Sequence, residues 1–162
     1  MIDFTDYQRR AATIAIYSHR MRFAYLVPGT ADEVFELLDT SAASDDERDE
    51  AGDVVWLAVM LRTEINAPMQ ITPFIGGCHL RDHLEAPARE LLHRWTKIAR
   101  DRRGIPNTDD KRLFEASTRR ILQMVITLAD RRGIAMADLL EGNLTKLAGR
   151  VERGTLEGGG TR

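Results

Sequence analysis

The sequence predicts an all-α fold, a helical bundle of about six helices. Three observations point that way. Ala, Leu, Arg and Glu are abundant while only 6% of residues are aromatic, a composition that favours helix. Apolar residues recur at three- and four-residue intervals through successive segments, which places them on one helical face. Stretches with Pro, Gly or a capping pattern separate those segments, as helix boundaries require.

The first helix is expected to start after Thr5 as N-cap, with Tyr7, Ala11 and Ile14 inward. Tyr25-Leu26-Val27-Pro28-Gly29 reads as a break. A second helix then opens at Thr30, with Glu33 completing a capping box, and runs to about Ser41. Ser44 and Glu47 repeat that pattern and open a third, with Val54, Leu57, Leu61 and Ile65 as its apolar stripe. So short a link between helices two and three predicts an antiparallel hairpin. Pro68, Pro73, Gly76 and Gly77 mark an irregular stretch. The fourth helix, about Leu80 to Arg100, turns Leu84, Ala88, Leu91, Leu92 and Trp95 inward. A fifth, capped by Thr108, buries Leu113, Phe114, Ile121, Val125 and Leu128 and stops at Gly133. The sixth, about Met136 to Arg153, buries Leu139, Leu140, Leu144, Leu147 and Val151. Met60, Met69, Met124 and Met136 read as core filler. Glycine-rich residues 154–162 read as a flexible tail. With no internal repeat or linker, residues 1–162 are expected to form one domain.

Charged residues make up 30% of the chain and hydrophobic ones 43%, an ordinary globular balance. A net charge of −2 gives no support for binding a nucleic-acid polymer. Cys78 is the only cysteine, so no intrachain disulfide is possible. No apolar run approaches the ~20 residues that span a bilayer. Met1-Ile2-Asp3-Phe4 lacks a signal-peptide layout. A cytoplasmic protein with no membrane partner is the expectation.

Four carboxylates carry the chemical signal. Glu33 and Glu36 form one i, i+3 pair, Glu50 and Asp53 another. Each pair projects from one side of a helix, and the expected hairpin brings the two sides together. Four anionic groups that close repel one another unless cations neutralise them. The hard cation that takes oxygen ligands and works on phosphates is Mg2+, with Mn2+ as a substitute. Singly, each acid has a plainer reading. Glu33 closes a capping box, and Glu36 is a solvated helix residue. Asp53 is harder to dismiss, because a mid-helix Asp among apolar neighbours needs a partner.

The sixth helix supplies a complementary stripe, Asn143, Lys146, Arg150 and Arg153, away from its leucine face. Arg150 and Arg153 also suit the negative end of a helix dipole, a structural reading of equal standing. Lys146 offers a point charge for phosphate. The Asn143 amide can hold a sugar, base or phosphate.

Together these residues resemble the all-α nucleoside triphosphate pyrophosphohydrolases, the MazG-like group. The signature Glu-x-x-Glu, spacer, Glu-x-x-Asp reads here as Glu33-x-x-Glu36, thirteen residues, Glu50-x-x-Asp53. The Gly-Asp-Val-Leu-Trp-like run is matched by Gly52-Asp53-Val54-Val55-Trp56, and the later Asn-x-x-Lys-Leu-x-x-Arg by Asn143 to Arg150. Tyr7-Gln8 and the run from Arg153 to Gly158 are also similar. The likeness spans residues 1–61 and about 121–162. Two departures stand out. Residues 67–120, with the whole fourth helix, interpose an extra helical insertion between the carboxylate hairpin and the Asn/Lys helix. The tail ends Gly159-Gly160-Thr161-Arg162, without an Asp before the terminal Arg.

The resemblance implies hydrolysis of a (d)NTP between the α- and β-phosphates to (d)NMP and pyrophosphate, a house-cleaning role in the nucleotide pool, with dUTPase-like specificity as one version. Glu33, Glu36, Glu50 and Asp53 would be the metal ligands, and Glu36 or Glu50 the base for water. Lys146 and Arg150 would hold phosphate oxygens, and Asn143 the nucleotide. Trp56 could stack on a base, although core packing is the preferred reading. A homodimer or higher homo-oligomer is expected, since one charged hairpin face cannot enclose a substrate alone. Two alternatives stay open: a phosphohydrolase of another pyrophosphate-containing metabolite, and a non-catalytic helical nucleotide-sensing or assembly module. Cys78, His79 and His83 suggest zinc only weakly, because adjacent Cys78 and His79 point apart on a helix. The basic run Arg100-Asp101-Arg102-Arg103 reads as a solvated helix end.

Overall fold

The computed structural model describes residues 1–15, 17–74 and 80–154. Its helices, in chain order, are α1 (Thr5–Ala12), α2 (Arg22–Asp39), α3 (Asp45–Glu64), α4 (Leu80–Arg102), α5 (Thr108–Arg132) and α6 (Met136–Glu152). Two short strands, β1 (Ile2–Asp3) and β2 (Gln70–Ile71), pair antiparallel with Ile2 opposite Ile71. The all-α bundle of about six helices is therefore what the chain forms. No helix among the described residues is long and apolar enough to cross a membrane.

Every residue of α3 from Ala51 to Arg62 is buried. A helix covered on all sides needs no polar face, and α3 is that helix: α2, α5, α6 and α1 all pack on it. The single stripe expected from the sequence is thus only part of its buried surface. Ser44 caps α3 as predicted, accepting a hydrogen bond from the Glu47 N–H at 3.0 Å. Glu47 does not complete the box. Its carboxylate accepts from the Ala43 N–H at 2.6 Å and takes both arms of the Arg132 guanidinium, at 2.8 and 3.0 Å. The start of α3 is thereby tied to the end of α5.

The break expected at Pro28 is absent. α2 runs straight through it from Arg22. Proline in a helix forfeits one hydrogen bond, but Leu26, Val27, Ala31 and Val34 are fully buried in this stretch, and their burial outweighs the loss. Thr30 consequently lies mid-helix and donates its hydroxyl to the Leu26 carbonyl at 2.6 Å. It caps nothing, and Glu33 is released from capping duty. Thr5 does not cap α1: the N-cap position is Phe4, without a side-chain cap, and the Asp3 carboxylate just before it accepts from the Thr5 N–H at 2.9 Å. At α5 the cap is Asn107, in a reciprocal box with Asp110. Gly133 ends α5 at φ +67°, a left-handed conformation that suits glycine. Val151, expected inside, is exposed.

Residues 67–120 do not stand apart from the rest. Leu84, Ala88, Leu91, Ile98 and Phe114 belong to one continuous core with Leu26, Val54, Leu61 and Ile121. Arg102 of the basic run is not a solvated end. It turns inward to the fully buried Asp110 carboxylate, which also accepts from Arg94. Burial opposes that charge. The Asn107 N–H and the Arg102 and Arg94 guanidiniums outweigh burial and hold the carboxyl below its ordinary value. A depressed carboxylate pKa stabilises the fold above the unfolded value near 3.8, and that stability disappears as pH falls through the lower, folded value. Asp110→Asn is expected to lose about 2–3 kcal/mol at neutral pH. The loss should shrink in acid, where the parent is also uncharged. Urea unfolding at pH 7 and at pH 3 checks both statements, and equal losses at the two pH values would contradict them.

Candidate metal centre

The α2–α3 hairpin brings Glu33, Glu50 and Asp53 together. Each offers a carboxylate oxygen, and the three oxygens lie within 4.8 Å of one another. Glu36, one turn beyond Glu33 on α2, sits at the exposed rim. Burial and the charges of Glu50, Asp32 and Asp53 raise its pKa. Glu33 is the most perturbed of the group. Burial first, then the charge of Asp53, a hydrogen bond with Glu50 and the charges of Glu36 and Glu50, push its carboxyl up to about 8. Its Oε2 atom is buried and, among the described residues, meets no hydrogen-bond donor.

Across from the hairpin, α6 approaches α3 at Gly52. A Cβ there would lie 3.0 Å from the Asn143 Cβ and 3.2 Å from its Nδ2, so the absence of a side chain sets the distance between the helices. Asn143 Nδ2 donates to Asp53 Oδ1 at 2.8 Å, and the Lys146 ammonium meets Asp53 Oδ2 at 2.6 Å. Asp53, buried within α3, thus has the partners its position demands. The second end of the Asn143 amide accepts from the Tyr7 hydroxyl at 2.7 Å. Burial and the Asp53 charge push the Tyr7 pKa well above its ordinary value, so the phenol keeps its proton. Arg150, one turn past Lys146, lies close enough to the Tyr25 phenol to oppose the rise that burial, Glu33 and Asp53 cause there.

Sequence reasoning placed most of these residues, with revisions. Asn143, expected to hold a nucleotide, is buried and has both amide ends engaged inside the protein. Trp56 is a core side chain, 5% exposed and edge-on to Tyr25 at 6.3 Å. It presents no open face on which a base could stack. The sequence marks Tyr7 as an inward residue of the first helix and as part of Tyr7-Gln8, and Gly52 as part of the Gly52–Trp56 run, without giving either a role at the site. The available signals were a polar-tipped aromatic on the inner face of α1 and a glycine beside the Asp. For zinc, Cys78 and His79 lie outside the described residues. His83 is engaged elsewhere, packing on Phe74 with ring centroids 5.4 Å apart and meeting the Arg120 guanidinium.

The donor set fits a hard divalent cation. All three convergent ligands are carboxylates, and one has a buried oxygen that meets no donor among the described residues. Lys146 is the cation that the structure places directly on one of these acids. The Glu33 carboxyl, raised by burial and by the neighbouring acidic charges, is what a cation would relieve. A measurable consequence follows for stability. Glu33 is raised above its ordinary value of 4.5 to about 8, so the metal-free fold binds more protons than the unfolded chain between those limits. Its stability is expected to fall as pH climbs through that window. Bound Mg2+ should flatten the slope. Thermal melts from pH 5 to pH 8.5, with EDTA and with Mg2+, check this, and parallel curves would contradict it.

Comparison with models of known protein families, with curated proteins and with solved structures finds no match in any of the three. Fold and site together define a class: an all-α protein with an acidic trio on its central hairpin, faced by an amide and an ammonium from its last helix.

Proposed function

We propose that the protein is a Mg2+-dependent nucleoside triphosphate pyrophosphohydrolase that converts a (d)NTP to (d)NMP and pyrophosphate, as expected of a MazG-like enzyme that clears nucleotides from the pool. One observation carries the reading. Glu33, Glu50 and Asp53 converge within 4.8 Å, and Glu33 keeps a buried oxygen that meets no donor among the described residues. Glu33, Glu50 and Asp53 would hold the metal, with Glu36 reaching in from the rim. Mg2+, when bound, neutralises triphosphate charge and polarises the α-phosphorus; Mn2+ can replace it.

The chain's own residues do the rest. Glu36 or Glu50 accepts a proton from the attacking water; of the two, burial and the charges of Glu50, Asp32 and Asp53 raise the Glu36 carboxyl. Lys146 sits on Asp53 in the metal-free chain. That ammonium, beside the acids, would hold phosphate oxygens of the substrate, with Arg150 one turn further along α6. Asn143 keeps Asp53 oriented. A homodimer or higher homo-oligomer would enclose the nucleotide, and light scattering on the purified chain tests that part.

Product analysis with a panel of NTPs and dNTPs in Mg2+ tests the reaction. Monophosphate and pyrophosphate are the expected products. Orthophosphate, or binding without turnover, would overturn the proposal in favour of another phosphohydrolase or a sensing module.

A further inference from the structure

We infer that Tyr7 is a positioning residue of the metal centre, acting through Asn143 to fix the direction in which Asp53 presents its oxygens. The inference deepens the proposed function and rests on it.

Tyr7 and Asn143 are 4% and 5% exposed, so neither polar end can be satisfied by bulk water. The Tyr7 hydroxyl donates to Asn143 Oδ1 at 2.7 Å, and Asn143 Nδ2 donates to Asp53 Oδ1 at 2.8 Å. An amide has one accepting and one donating end. The acceptor-only Asp53 carboxylate takes the N–H end, and an amide rotated by half a turn would turn its oxygen on that carboxylate. The phenol proton satisfies the oxygen end that is left, so Tyr7 holds the amide in the one orientation that supports Asp53.

Three elements are locked by this chain: α1 through Tyr7, α6 through Asn143 and α3 through Asp53. Gly52 permits the close approach of α6. With Oδ1 pinned by Asn143, Asp53 cannot rotate freely about its last side-chain bond. Its Oδ2, held by Lys146 at 2.6 Å, stays in a fixed place relative to Glu33 and Glu50. Groups that orient a ligand from behind are worth about 10- to 100-fold in metal affinity. A phenylalanine would fill the same space at position 7, so the hydroxyl alone carries this role.

Tyr7→Phe isolates it. The probe is Mn2+ alone, titrated into the nucleotide-free full chain and followed by electron paramagnetic resonance of free Mn2+. Circular dichroism confirms that the variant is folded. Mn2+ affinity is expected to fall about tenfold or more, and added Mg2+ should restore kcat toward the parent value. Asn143→Leu, an apolar side chain of similar size, should lower affinity at least as much. Tyr7→Phe should then cost nothing further in that background, because the two residues act in series. A folded Tyr7→Phe protein with parental Mn2+ affinity overturns the inference and leaves the proposed function standing. Additive losses in the double variant also overturn it. Failure of the parent chain to bind Mn2+ overturns both.

Discussion

Glu50→Gln is expected to lower kcat by about a thousandfold or more while making the metal-free protein more stable. The two effects share a cause. Glu50 lies beside Glu33 and helps push its carboxyl up. Removing one negative charge relieves that repulsion, and the glutamine oxygen can still accept a hydrogen bond from protonated Glu33. Without metal the variant should therefore melt higher than the parent at pH 8, where Glu33 repulsion is strongest. Catalysis moves the other way. Metal-assisted stabilisation of transition-state charge is worth several kcal/mol, and about 4 kcal/mol corresponds to about a thousandfold in rate. Opposite signs for stability and activity are what a functional, strained site produces. A solvated glutamate with no role would change neither. Steady-state kinetics with the best (d)NTP, paired with melts in EDTA, reads both signs, and unchanged kcat would contradict the assignment.

The largest effect on folding is expected at Arg62. This guanidinium is fully buried near the end of α3. Burial depresses its pKa to about 10, so it remains charged at neutral pH. Among the described residues no carboxylate lies within ion-pair distance of it. Its donors go instead to the Pro68 carbonyl at 3.0 Å, the Glu115 carbonyl at 3.0 Å and the Thr118 hydroxyl at 3.2 Å. Two effects oppose each other when it is removed. Relief from burying a charge favours an apolar replacement. Loss of its charge-assisted hydrogen bonds, and of the packing of a fully buried side chain, disfavours it. Thr118 also reaches the Glu115 carbonyl, so that acceptor keeps a partner. Pro68, an exposed residue on the segment that leads to β2, loses the donor that ties that segment to α3. Arg62→Met is expected to lose about 2–4 kcal/mol. Arg62→Lys should recover little of it, because an ammonium lacks the planar fork that serves carbonyls on two sides. Urea midpoints for the two variants check this; a parental midpoint for Arg62→Met would show that charge burial cancels the bonds.

Much of the fold could be read from local sequence. Ser44 as the cap of α3 and Gly133 as the stop of α5 depend on atoms a few residues apart, and both are where the pattern put them. Pro28 misled because its helical cost is local while the burial that offsets it comes from distant helices. The Thr30–Glu33 capping box was a coincidence of spacing inside a continuous helix. Nothing in the local pattern marks Arg62 and Asp110 as buried charges. Their burial follows from packing between helices that no window of sequence contains.

The site was legible in part. Two i, i+3 acid pairs on a hairpin predicted convergence, and Glu33, Glu50 and Asp53 do converge. Asp53 among apolar neighbours predicted a partner, which Lys146 and Asn143 provide from about ninety residues away. The identity of that partner depends on tertiary approach, through Gly52, and so does the engagement of Asn143 by Tyr7. Spacing showed which side of α6 carries polar groups. It did not show that Asn143 faces inward as a support for Asp53 instead of outward as a nucleotide contact.

The central claim is that these acids form a site for a divalent cation. Calorimetric titration of Mg2+ into the nucleotide-free protein at pH 7, in two buffers of different ionisation heat, tests it most directly. The predicted result is saturable binding accompanied by proton release, because Glu33, raised to about 8, must give up its proton to become a ligand. Absence of saturable binding at millimolar Mg2+, or binding retained in full by an Asp53→Asn, Glu33→Gln double variant, would contradict it.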